Sequence, residues 1–94
     1  MKRYGLSRKE WVRLARAQSN VCGVCDRLPA SERLVVDHEH RVGWAKLPAA
    51  ERKMYVRGLC CQYCNHYVVG RLTLDKAKRV VKFLEAYERR KGER

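Results

Sequence analysis

The stretch Val56-Arg57-Gly58-Leu59-Cys60-Cys61-Gln62-Tyr63-Cys64-Asn65 decides the fold. It passes from a strand-like segment through a glycine into a CxxC pair and ends on a polar amide. Two residues between Cys61 and Cys64 let both sulfurs face one ion while backbone amides hydrogen-bond to the thiolates. Cys22-Gly23-Val24-Cys25 repeats the spacing upstream. Two such pairs complete a tetrahedral four-thiolate zinc site with Zn–S distances of ~2.3 Å. A redox CxxC needs one pair in a thioredoxin-like frame, which this chain lacks. The long gap from Cys25 to Cys61 leaves room for an inserted hairpin. Cys60, the fifth cysteine, would make only a CxxxC with Cys64. It reads instead as a small buried apolar residue at a strand end. A structural zinc also suits a chain of 94 residues, whose core is thin enough to need a staple.

Between the two pairs, Leu34-Val35-Val36 is apolar and mostly β-branched, and reads as a buried strand ending at Asp37. Asp37-His38-Glu39-His40 follows. A carboxylate on a rigid support binds a hard divalent cation through oxygen. A histidine beside it can take a proton from water near neutral pH. Those are two parts of metal-assisted phosphodiester hydrolysis. Asn65 directly follows the fourth thiolate, so a zinc would fix its backbone, and its amide oxygen supplies the missing ligand. Taken singly, Asp37-His38 is equally a polar turn and Asn65 a helix-surface residue; their combination with two zinc knuckles favours the catalytic reading. Neighbours on a helix point ~100° apart, so Asn65 and His66 are not expected to serve one metal; His66 reads as an ordinary helix residue, with a phosphate contact as the alternative. Arg57 is either a phosphate clamp or a solvated strand residue.

The flanks read as helices. Ser7 and Glu10 form a capping box, and Leu6 with Trp11 a hydrophobic staple, predicting a helix over 8–19 with Trp11, Leu14, Ala15 and Gln18 on one face. A loop around Pro29 precedes the first strand. Gly43-Trp44 reads as a turn, Pro48–Lys53 as a short helix with proline early, and Met54–Arg57 as the second strand, with a bend at Gly58. A helix over 61–69 stops at Gly70. Thr73 caps a last helix, about 73–90, striped by Ala77, Val80, Val81, Leu84 and Tyr87, before a charged, frayed tail.

With 22 Lys+Arg against 10 Asp+Glu, the net charge is +12. That points to a polyanionic partner, nucleic acid first. The net acidic part is residues 21–40, which hold the Asp37–His40 run. An apolar content of 46% excludes a disordered basic tail. No apolar run reaches the ~18 residues of a membrane span, so no membrane partner is expected. The N-terminus lacks the apolar stretch of a secretory signal, so the expected location is a reducing cytoplasm, where paired cysteines hold metal.

The joined pattern Cys22-x-x-Cys25, Val36-Asp37-His38-Glu39-His40, Gly43, Val56-Arg57-Gly58-Leu59-Cys60-Cys61-x-x-Cys64-Asn65 resembles the phage recombination endonuclease VII branch of the HNH nucleases. The resemblance covers about Gln18 to Gly70 and implies a small α+β fold. That fold is a zinc-braced ββα-metal core, treble-clef-like, with flanking N- and C-terminal helices in one domain over 1–94. It also implies a DNA endonuclease in which Asp37 and Asn65 bind a catalytic Mg²⁺ or Mn²⁺. His38 is then the general base, and His40 assists at the scissile phosphate or orients the site. Cys22, Cys25, Cys61 and Cys64 hold the structural zinc. The expected partners are DNA and a phage packaging or recombination protein, with the chain a monomer or weak dimer in the bacterial host. The segment from Trp44 to Tyr55 is longer than the family usually carries, and two readings of it stand. Either Trp44, Lys46, Arg52 and Lys53 contact DNA or a partner, or the loop packs with Trp44 in the core. The rival to the nuclease is a non-catalytic zinc module that binds nucleic acid or a protein.

Overall fold

Ser7 and Glu10 start the first helix as their spacing requires. The Ser7 N–H donates to Glu10 Oε1 at 2.9 Å, and the Glu10 N–H donates to Ser7 Oγ at 3.1 Å. These hydrogen bonds, with the Lys53 ammonium 2.9 Å away, hold the Glu10 carboxyl at a pKa of about 2. The computed structural model of the chain describes residues 2–28 and 33–93, so the loop read around Pro29 lies outside the described residues. Helix α1 is Arg8–Ala17, shorter than the predicted 8–19. Ser19 turns left-handed (φ 57°), and the Ser19 and Asn20 N–H groups donate back to the carbonyls of Arg16 and Ala15. That pair of bonds closes the helix as a Schellman motif. Leu6 is buried in the apolar core, and Trp11, partly buried, packs against that core.

Strands β1 (Val35–His38) and β2 (Val56–Cys60) form an antiparallel two-stranded sheet. Val35 faces Cys60, Val36 faces Leu59, Asp37 faces Gly58 and His38 faces Val56. Arg57 is therefore the extra residue of a bulge, a device that re-aims side chains locally. The second strand begins two residues after the predicted Met54. Lys53–Tyr55 instead wind as a 3-10 turn that completes the insertion, and Met54 is exposed. Gly58 lies inside β2 and not at a bend after it. Its lack of a side chain admits the Gln18 amide, whose Oε1 would stand 2.8 Å from an added Cβ.

That amide acts as a short extra strand. Gln18 Oε1 accepts from the Leu59 N–H at 2.9 Å, and Nε2 donates to the Leu59 carbonyl at 2.7 Å and the Val21 carbonyl at 3.0 Å. Gln18 thus satisfies part of the open edge of β2 and pins the end of α1 to the sheet. Cys60, at the end of β2, is 1% exposed, and burial pushes its thiol up to about 12. It is the inert apolar filler the sequence suggests.

The inserted segment folds onto the sheet. Trp44 opens a 3-10 turn (Trp44–Lys46) after the Gly43 turn and is buried, and helix α2 (Ala49–Arg52) follows Pro48. Arg52 donates to the Leu47 carbonyl at 3.1 Å, and Lys53 pairs with Glu10. The core reading of Trp44 therefore holds. Two of the three cations read as DNA contacts instead tie the insertion to the chain, while Lys46 stays exposed.

Cys64–Val69 wind as a π-helix, wider than the helix predicted over 61–69. Gly70 follows it in a right-handed conformation, so it is no left-handed cap. A Cβ there would stand 2.8 Å from the Asn65 carbonyl oxygen. Helix α3 is Leu74–Gly92; Thr73 Oγ1 caps it by accepting from the Lys76 N–H at 3.2 Å. It runs through most of the tail read as frayed. None of its described residues is buried, so its apolar stripe stands open. Helix formation here rests on capping and on helix-favouring residues.

Gln18→Ala should cost about 1–3 kcal/mol in chemical denaturation, because two backbone groups of Leu59 lose their partners. A cost indistinguishable from that of an exposed α1 substitution such as Arg13→Ala would show that the amide clamp carries no stability.

Candidate metal centre and active site

The four knuckle cysteines come from two distant segments and converge. Their sulfurs all lie within 4.8 Å of one another, and Cys25 Sγ stands 3.9 Å from Cys61 Sγ. A tetrahedron with Zn–S distances of ~2.3 Å has edges of about 3.8 Å. Each knuckle turns its amides inward. Val24 and Cys25 N–H groups point at Cys22 Sγ (3.3 and 3.4 Å), and the Cys64 N–H points at Cys61 Sγ (3.4 Å). Burial alone would raise the Cys22 thiol, but hydrogen bonds from Cys25, Cys61 and Val24 outweigh it and bring the pKa to about 6. Burial pushes Cys64 upward, the unfavourable state that a dication relieves by taking the thiolate. Donor type, number and spacing fit one zinc.

The strand ending in Asp37-His38 divides its residues between two clefts, as the alternation of strand side chains requires. One cleft, about 390 Å³, is lined by Tyr4, Val36, His38, His40, Asn65, His66, Gly70 and Arg71. It gathers three of the four residues read as catalytic, His38, His40 and Asn65. His38 stacks on Trp44 with ring centroids 4.1 Å apart and lies 4.8 Å from the His40 ring and 5.5 Å from Tyr4. Burial, and then the neighbouring His40, hold the His38 pKa below the ordinary 6.5, so its imidazole is neutral near pH 7.

Asp37 lines the other cleft. Its carboxylate is buried and doubly bonded by one guanidinium. Arg57 Nε donates to Oδ2 at 2.7 Å and an Arg57 terminal nitrogen donates to Oδ1 at 3.0 Å. The same guanidinium donates to the carbonyls of Leu72 at 2.6 Å and Val69 at 2.7 Å. The bond to Asp37 raises the Arg57 pKa further above its ordinary value. Arg57 is exposed on β2, as the solvated reading expects, yet its guanidinium is bonded within the chain. It ties β1 to the chain leaving the π-helix. Each Asp37 oxygen retains a second lone pair, and a carboxylate with an Asn amide oxygen is the hard donor set that Mg²⁺ or Mn²⁺ takes.

Sequence reasoning missed Tyr4, Arg71 and the place of His66. Tyr4 and Arg71 lie far from the motif in the chain. His66 lines the same cleft as Asn65, on the π-helix.

The profile of the recombination endonuclease VII family matches residues 1–88 of the chain. The chain belongs to that family. It is 31% identical over 84 residues to the Gene 59 protein of Mycobacterium phage D29 and 32% identical over 84 residues to that of Mycobacterium phage L5. Each alignment covers 86% of this chain and 44% of the phage protein, so this endonuclease VII relative spans under half the length of those two. No solved structure matches it.

Elemental analysis of protein purified without added metal should find about one zinc per chain. Cys61→Ala should lose the ion and unfold the domain, whereas Cys60→Ala should cost about 1 kcal/mol and keep it. The reverse ranking would mean that Cys60 is a ligand.

Proposed function

We propose that this chain is a phage-encoded, metal-dependent DNA endonuclease of the HNH type, with a zinc-braced ββα-metal core. The observation that carries the reading is the cleft in which a neutral, ring-packed His38 faces His40, Asn65 and Arg71. Membership of the endonuclease VII family and the +12 charge support DNA as substrate. The chain's place of action in this reading is DNA in the host cell.

In this reading His38 takes a proton from a water molecule, which attacks the phosphorus. Stacking on Trp44 fixes the imidazole plane, and burial keeps it unprotonated. His40 and Arg71 bind the non-bridging oxygens of the scissile phosphate. Asn65, in the His38 cleft, would hold a catalytic Mg²⁺ or Mn²⁺ together with Asp37, whose carboxylate Arg57 orients from the neighbouring cleft. When bound, the cation neutralises charge on the phosphate and on the leaving 3′ oxygen. The products are a 5′-phosphate and a 3′-hydroxyl. One site per chain nicks one strand.

His38→Ala should lower plasmid nicking by roughly 10²-fold or more, with zinc content and DNA affinity near wild type. Since the folded protein holds His38 below 6.5, the basic form persists into mildly acidic solution. The rising limb of the pH profile should then lie below 6.5. Full activity in His38→Ala would refute the assigned base. No nicking by the wild type with any divalent ion would return the chain to the reading of a non-catalytic zinc module.

A further inference from the structure

The π-helix and its N-cap residue carry two large aromatic rings, Tyr67 and Tyr63, that the fold does not use. Tyr63 is 66% exposed and Tyr67 70% exposed, and neither phenol makes a hydrogen bond among the described residues. Their ring centroids lie 5.0 Å apart at 46°. The His66 ring meets Tyr67 edge-on at 4.4 Å and 89°, and His66 also lines the cleft of His38, His40 and Asn65. The aromatic surface therefore begins inside the cleft at His66 and continues outward through Tyr67 to Tyr63.

A structural role would show as burial, and both rings lie outside the apolar core. A shielded apolar groove for a protein segment would need enclosing walls, whereas these rings stand open on a helix surface. Open aromatic faces beside a cleft that holds Arg71, on a chain of net charge +12, match the way proteins hold unpaired nucleotides. The cations take the phosphates and the rings take the bases. A base stacked inside a duplex has no free face to offer; an unpaired one does.

We propose that Tyr63 and Tyr67 form a stacking platform for an unpaired nucleobase next to the phosphate that enters the cleft. This rests on the nuclease reading for the identity of the phosphate, and it adds a preference for unpaired over fully paired DNA at that position. His66 joins platform to cleft, and Arg71 binds the backbone between them.

Binding is the test, measured without added divalent cation so that cleavage plays no part. Fluorescence anisotropy compares an oligo-dT strand with a blunt duplex of equal length, and a strand carrying one 2-aminopurine reports stacking by quenching. Tyr67→Ala should weaken single-strand binding roughly 5- to 100-fold and remove the quenching, with duplex affinity within about twofold of wild type. Tyr67→Phe should behave as wild type, because the ring face and not the hydroxyl does the stacking. Equal losses on both DNAs, or unchanged single-strand affinity and no quenching in folded wild-type protein, would overturn the platform. Loss of single-strand preference in Tyr67→Ala supports it even if the wild type cuts nothing, which separates this proposal from the nuclease reading.

Discussion

The convergence of four thiolates is the constraint on which the rest of the structure depends. Cys22 and Cys25 follow the end of α1, and Cys61 and Cys64 join the end of β2 to the start of the π-helix. One ion there would hold the first helix, the sheet and the π-helix in a single frame. Few of the described side chains are deeply buried, and three of them are cysteines: Cys22, Cys60 and Cys64. Apolar burial alone gives a chain this short little margin. Backbone details follow from the same junction. The Gly23 N–H donates to the Leu59 carbonyl at 3.0 Å, and Gln18 closes on the same residue. The first knuckle and the helix before it are thus stitched to the strand that leads into the second.

A second clamp lies on the far side of the sheet. Arg57 bonds both oxygens of Asp37, the carbonyl of Val69 at the end of the π-helix and that of Leu72 beyond it, so the π-helix has cysteine sulfurs at its start and a guanidinium at its end. Between those anchors stand Asn65 and His66, facing the His38 cleft. The bulge at Arg57 makes this arrangement possible: the extra residue in β2 swings the guanidinium across to Asp37. Lysine at this position would lack the planar fork. The insertion completes the cleft from the other direction, because Trp44 supplies the wall against which His38 stacks.

Local chemistry was legible in the sequence; contacts between distant segments were legible only where a motif announced them. The Ser7–Glu10 box and the Thr73 cap span three residues each, and both formed as their spacing dictates. The two CxxC pairs are far apart in the chain, yet each is a self-contained knuckle whose pairing follows from metal chemistry. Gln18 reads as one more member of a helical stripe, because nothing near it signals that its amide will bond Leu59, 41 residues on. The second strand was misplaced because Met54-Tyr55-Val56 has strand composition, whereas Gly58 and the cysteines do not. Hydrogen-bonding to β1 decided the register. Asp37 and His38 are adjacent in the motif but line different clefts, a separation that strand alternation implies and the motif conceals. Helix α3 was legible as a helix; its stripe did not reveal that no described part of the chain covers it.

The central claim is that one metal ion, held by four thiolates, assembles the frame that carries the cleft. Titration of Co²⁺ into the reduced, metal-free chain tests it most directly, with thiolate-to-metal absorption and circular dichroism read on the same sample. Both signals should rise together and saturate at one equivalent, because binding and folding are one event. A native dichroism spectrum before any metal is added, or saturation of the absorption with no change in fold, would contradict it.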